Sequence, residues 1–299
     1  MGLLSRLWVA MRTQTKADSG TESSIVLIIN QGGVDKLHHT FPDTSQDDQD
    51  TGQSNVYEID LKGRDIRTEN LTNSSIRMGI RGSDFWLPEH VVVWGQEASG
   101  GQIVPLAAEF VIEKGISTDA SEGNLSFPIR RIGLPTLSPL VATIDTKARI
   151  KQILVVLTTA DVSDAGTPNN IDLKITFAGG KEWIQALVGG GLDRGQAVFY
   201  LPTTVQFLDP EPRRNNLESI VLRIDNDDAW VPASFFLFGF TRQFAEPFPG
   251  VSFGPRPDSI MPLVHIPKWN LGALSKDRKE GKDSVPLPLL PAPNISSNP

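Results

Sequence analysis

Ser75-Ile76-Arg77-Met78-Gly79-Ile80-Arg81-Gly82-Ser83-Asp84-Phe85-Trp86-Leu87-Pro88 has a counterpart later in the chain. It is Ser219-Ile220-Val221-Leu222-Arg223-Ile224-Asp225-Asn226-Asp227-Asp228-Ala229-Trp230-Val231-Pro232. Both begin Ser-Ile, alternate, pass a turn, and reach Trp-aliphatic-Pro before an apolar stretch that ends at Gly95 or Gly239. Upstream the pairing persists. Asp50-Thr51-Gly52-Gln53 falls on Asp193-Arg194-Gly195-Gln196, Gly32-Gly33 on Gly179-Gly180, and Asp18-Ser19-Gly20-Thr21 on Asp164-Ala165-Gly166-Thr167. Leu7 to Met11 falls on Ile153 to Leu157, and the offset stays between about 143 and 147 throughout. Chance likeness between short motifs does not hold such a register, so the chain reads as a tandem duplication that starts with the first strand of copy one.

Each copy reads as β. Ile171, Leu173 and Ile175 alternate with Asp172 and Lys174, and Ile220, Leu222 and Ile224 alternate with Val221 and Arg223. That is the period-two pattern of half-buried strands. Short strands separated by Gly, Asn, Asp and Pro predict antiparallel β-sandwiches. Lys181 to Leu187 is the one stretch read as helical. Val91-Val92-Val93-Trp94 and Phe235-Phe236-Leu237-Phe238 are apolar at both parities, which predicts strands covered on both faces. A loop, the other copy or a second subunit could supply that cover.

The expected organisation is all-β: a sandwich repeat over 1–95, an ordered linker with extra strands over 96–148, a second repeat over 149–242, and an extended proline-rich C-terminal arm over 243–299. The linker carries Gln102-Ile103-Val104-Pro105-Leu106 and Phe127-Pro128-Ile129-Arg130-Arg131-Ile132 around the turn Ser117 to Gly123. Eleven of the 22 prolines lie in the arm, beside Ile260, Met261, Leu263, Val264, Ile266, Trp269 and Leu271. A purely solvated tail has no need of such a cluster, so the arm is expected to dock on its own domains or on a neighbouring subunit.

Composition excludes several chemistries. The 299 residues carry a net charge of −7, so the basic footprint of a nucleic-acid binder is missing and a general anionic-membrane surface is disfavoured. With no cysteine there is no disulfide, thiolate metal site or Cys nucleophile. The first eleven residues hold Arg6 within a short apolar run and do not read as a cleavable signal peptide. No stretch approaches the roughly 20 apolar residues of a transmembrane helix. The compartment is left open between the cytoplasm and a larger particle.

Thr159-Ala160-Asp161, Asp164-Ala165-Gly166-Thr167, Asp193-Arg194-Gly195, Ser219-Ile220, Asp225-Asn226 and Trp230 together resemble the PLAT (LH2, lipoxygenase-homology) β-sandwich family. The likeness spans both copies and is stronger in the second. It implies a sandwich that binds protein or lipid surfaces without catalysis of its own, with Ca²⁺ in some members. The sequence departs from the family where Pro168 and Glu22 replace an Asp, and where Arg81 stands opposite Asp225. In copy two, Asp161 and Asp164 lie in the first long turn and Asp225, Asp227 and Asp228 in the last. If those loops meet, the five carboxylates form a candidate Ca²⁺ site; otherwise they are solvated turn residues. The run Asp43, Asp47, Asp48 and Asp50 reads as a solvated loop.

Enzymatic readings find little support. His38 and His39 are adjacent and would point to opposite faces of a strand, His90 aligns with Ser234, and His265 lies in the arm. No nucleophile elbow, zinc-protease motif, P-loop or dinucleotide fingerprint is present, and Val188-Gly189-Gly190-Gly191-Leu192 lacks a phosphate-binding Lys-Ser/Thr. Trp86 and Trp230 could sit in a lipid interface or plug the sandwich end; their identical register favours the plug. Two functions stand. One is a non-catalytic module recognising a protein or lipid surface. The other is a structural subunit held by apolar strands and the C-terminal arm.

Overall fold

The computed structural model describes residues 2–42, 50–99, 101–110, 112, 114–130, 149–168, 170–187, 192–200, 212–225, 227–240 and 260–291. They form two compact units with described parts 2–130 and 149–291. The acidic positions Asp43, Asp47 and Asp48, and the glycines at 189–191, lie outside the described residues.

The first unit contains β1 (Leu4–Thr13), β2 (Ser24–Gln31), β3 (Val34–Thr40), β4 (Ser54–Asp60), β5 (Ile76–Arg81), β6 (Phe85–Trp86), β7 (Pro88–Glu97), β8 (Ile103–Glu109), β9 (Ile116–Ser117) and β10 (Ser126–Pro128). Two four-stranded antiparallel sheets, ordered β4-β1-β7-β8 and β10-β5-β2-β3, enclose one core. Leu7, Val9, Val91 and Val93 meet Leu27, Ile29, Met78 and Ile76 across it.

The second unit contains β11 (Gln152–Thr159), β12 (Ile171–Phe177), β13 (Lys181–Ala186), β14 (Ala197–Tyr200), β15 (Leu217–Ile224), β16 (Pro232–Phe240), β17 (Ile260–Ile266) and β18 (Ser284–Pro286). Its sheets are ordered β14-β11-β16-β17 and β13-β12-β15-β18, strand for strand the order of the first unit. The period-two reading holds in β12: Ile171, Leu173, Ile175 and Phe177 are buried while Asp172, Lys174 and Thr176 are half-exposed. Each unit is an antiparallel β-sandwich.

Residues 96–128, expected as linker, supply β8 to one sheet and β10 to the other sheet of the first unit. Residues 260–286, expected as the start of the arm, do the same for the second unit through β17 and β18. The arm therefore docks on its own unit by strand addition, and its apolar cluster is core: Met261, Leu263, Val264, Ile266 and Leu274 are all buried. Buried Arg214 donates to the Leu290 carbonyl, and the Leu290 amide donates to the Leu263 carbonyl at 2.9 Å.

Lys181 to Leu187 is corrected from helix to strand. Ala178, Gly179 and Gly180 form a three-residue turn in which both glycines are left-handed, with φ of +82° and +70°. They turn the chain straight back, so Phe177 pairs with Lys181 and Asp172 with Ala186. The hairpin pairing holds the segment as an edge strand of the β13-β12-β15-β18 sheet.

The apolar strands are covered on both faces. Val91, Val92, Val93 and Trp94 are fully buried, and Phe235 to Phe238 nearly so. On the face of β1 and β7 away from the core, Trp8 and Trp94 stack with centroids 6.5 Å apart and 12° between planes.

Candidate functional site

The turn end of each sandwich joins the β1–β2 loop to the strand after β5, or the β11–β12 loop to the strand after β15. Its centre is a buried Trp. Trp86 donates its indole N–H to the Thr13 hydroxyl at 2.9 Å, and Trp230 donates to the Thr159 hydroxyl at 3.0 Å. Both rings are fully buried, so these tryptophans plug the sandwich and offer nothing to a lipid interface. The framework around them repeats. Asp18 and Asp164 share a φ of 58°, and the amides of Gln14 and Ala160 donate to the Leu87 and Val231 carbonyls at 3.0 and 2.8 Å.

Against this frame the five carboxylates can be placed. Asp161 pairs with Arg194 at 2.6 Å. Asp225 pairs with Lys276, whose hydrogen bond and charge hold its carboxyl below the usual range. Asp227 is exposed and its backbone carbonyl accepts from the Ser275 hydroxyl at 2.6 Å; Asp228 is exposed, and Asp164 lies in the left-handed turn. Cations thus hold two of the five, and among the described residues no group of three or more His, Asp or Glu gathers to hold a metal ion. In the first unit Asp84 accepts from the Thr21 hydroxyl and the Glu22 amide, both at 3.0 Å, and from the Phe85 amide at 2.9 Å. Burial alone would raise its pKa, but these hydrogen bonds outweigh it and the net shift is downward. This carboxylate caps its own loop.

The histidines are dispersed. His38 meets Arg81 at 2.9 Å, whereas His39 stands edge-on to Phe41 at 5.3 Å. His90 lies 5.8 Å from Phe110, and burial lowers its pKa while Glu89 pushes it back up. His265 packs 5.1 Å from Phe236, and burial pushes it down to about 4. The unfolded chain therefore binds a proton before the folded one does. His265 costs stability as pH falls from 6.5 toward 4, by at most about 1.4 kcal/mol per pH unit. His265→Phe is expected to flatten this part of the stability–pH curve in urea titrations; an unchanged slope would exclude His265 as its source.

A further repeat was open to sequence reading and missed. Ser117-Thr118-Asp119-Ala120-Ser121-Glu122-Gly123 matches Ser275-Lys276-Asp277-Arg278-Lys279-Glu280-Gly281. In both turns the Ser hydroxyl accepts the Asp amide at 3.0 Å. The Asp carboxylate in turn accepts the amide two residues on, at 2.8 or 2.9 Å. A Cβ on Gly123 or Gly281 would lie 2.6 Å from the carbonyl oxygen of Gly115 or Ala273, so each position demands glycine. The signal was there at an offset of 158.

Among the described residues, no helix is long and apolar enough to cross a membrane. No protein-family model matches the sequence, and no curated protein does. Among solved structures, the chain is similar to the alpha toxin from Clostridium absonum, at 19% identity and a TM-score of 0.35, over 50% of this chain and 34% of that one. It is also similar to the Clostridium perfringens alpha-toxin isolated from avian strain SWCP, at 15% identity and a TM-score of 0.30, over 44% and 32% of the two chains. The likeness spans about a third of those chains and is too slight to assign a function.

Proposed function

We propose that the chain is a non-catalytic binding protein in which one PLAT-like sandwich is used twice to recognise a protein or lipid surface. The observation that carries the reading is a duplicated frame with diverged surfaces. Strand order, the Trp–Thr plug and the Ser-x-Asp turn recur in both units, while the solvent-facing side chains differ. Retained scaffold with exchanged surface residues is what recognition of different partners requires.

The alternative, a structural subunit, draws on the apolar strands. Light scattering separates the two: a monomer is expected, and a large defined oligomer would favour the subunit. Calcium in the second unit would have to displace Arg194 from Asp161 and Lys276 from Asp225. A melting shift on adding calcium, lost when Asp225→Ala is combined with Asp228→Ala, is its signature. A shift that survives the double substitution rejects that site.

A further inference from the structure

On the solvent face of the β13-β12-β15-β18 sheet, Lys174, Arg223 and Lys276 line one cleft of about 260 Å³ with Val221, Asp283 and Ser284. We propose that this cleft binds a phosphoryl group, either a free phosphate monoester or a lipid headgroup. The assignment deepens the reading of the chain as a binding protein and rests on it.

The sheet register produces the convergence. Lys174 lies opposite Val221, and Arg223, two residues along the same strand, lies opposite Ser284 on β18. Side chains two apart on a strand share a face, so both cations reach the same side as the Ser284 hydroxyl. Lys276 comes from the Ser-x-Asp turn before β18. Each ammonium is held by a carboxylate: Lys174 by Glu182 at 2.6 Å, and Lys276 by Asp225. Neither of these carboxylates lines the cleft. Arg223 has Asp172 directly across the sheet and makes no ion pair among the described residues. Its planar fork of donors suits two oxygens of one phosphoryl group. The lining itself holds three cations and one carboxylate, with Glu182, Asp225 and Asp172 standing just outside it.

The first unit supplies the control. By register, Ile28 takes the place of Lys174, Gly79 that of Arg223 and Arg77 that of Val221, while Thr118 takes the place of Lys276. The sandwich therefore folds without cations at those three positions. Their gathering belongs to this surface and not to the frame.

Calorimetric titration of the full chain with inorganic phosphate and with glycerol 3-phosphate tests the soluble source. Flotation with phosphatidylcholine vesicles, with and without phosphatidic acid, tests the headgroup. Binding in either arm is expected, and the arm that responds names the source. Arg223→Gln, and separately the exposed Lys276→Gln, are expected to lower affinity about tenfold or more without changing the melting temperature. Arg81→Gln, on an exposed face of the first unit, is expected to leave it unchanged. Absence of binding in both arms overturns the site, as does an equal loss with Arg81→Gln, which would mean general charge attraction. Either result leaves the binding-protein reading to its own test by light scattering.

Discussion

Ending the chain after Gln243 is expected to unfold the second unit. The deletion removes β17 and β18, and with them the buried Met261, Leu263, Val264, Ile266, Val285 and Leu287. Six such side chains at about 1.5 kcal/mol each represent about 9 kcal/mol of burial, comparable with the whole stability of a typical domain. The loss does not stop there. The β15 and β16 edges lose their partners, the pairing of Trp230 with Leu274 disappears, and Arg214 is left buried without the Leu290 carbonyl. Scanning calorimetry of the truncated chain should lack the unfolding heat of one unit. A truncated chain with undiminished unfolding enthalpy would show that the final strands are accessory.

The second large effect belongs to the tryptophan plugs. Trp86→Ala and Trp230→Ala should each cost about 3–5 kcal/mol, because a fully buried indole leaves a cavity that a sandwich end cannot close. The isosteric changes Thr13→Val and Thr159→Val should cost about 1–3 kcal/mol each, by stranding a buried indole N–H. The two units hold the same device, so the matched pairs of variants should behave alike in chemical denaturation. A Trp230→Ala chain with near-native stability would place that ring at the surface.

The repeat that decides the architecture could be read directly, since Trp86-Leu87-Pro88 and Trp230-Val231-Pro232 mark equivalent turns on equivalent strands. The both-face apolar strands were equally plain, because alternation fails in Val91 to Trp94 and Phe235 to Phe238 and both prove buried. The ends of the repeats were harder. After β7 and β16 the offset rises from about 144 to 158, so the match through Gly123 and Gly281 lies off the register followed up to that point. Proline spacing then suggested an arm where β17 tolerates Pro262 on an edge strand, the place where a missing N–H costs least. Lys181 to Ala186 carries no strong period of its own, and its state is set by the two glycines before it. The carboxylates were visible but their partners were not. Arg194 and Lys276 reach Asp161 and Asp225 only through the fold, from 33 and 51 positions away in sequence.

Hydrogen exchange of the intact chain tests the doubled sandwich most directly. The amides of β17 that bond to β16, Pro262 having none, and that of Val285 should be protected to the same degree as those of their counterparts in β8 and β10, with Gly281 and Lys282 held by the turn as Gly123 and Asn124 are. Rapid exchange throughout 260–286, with protection retained in β8 and β10, would contradict the account.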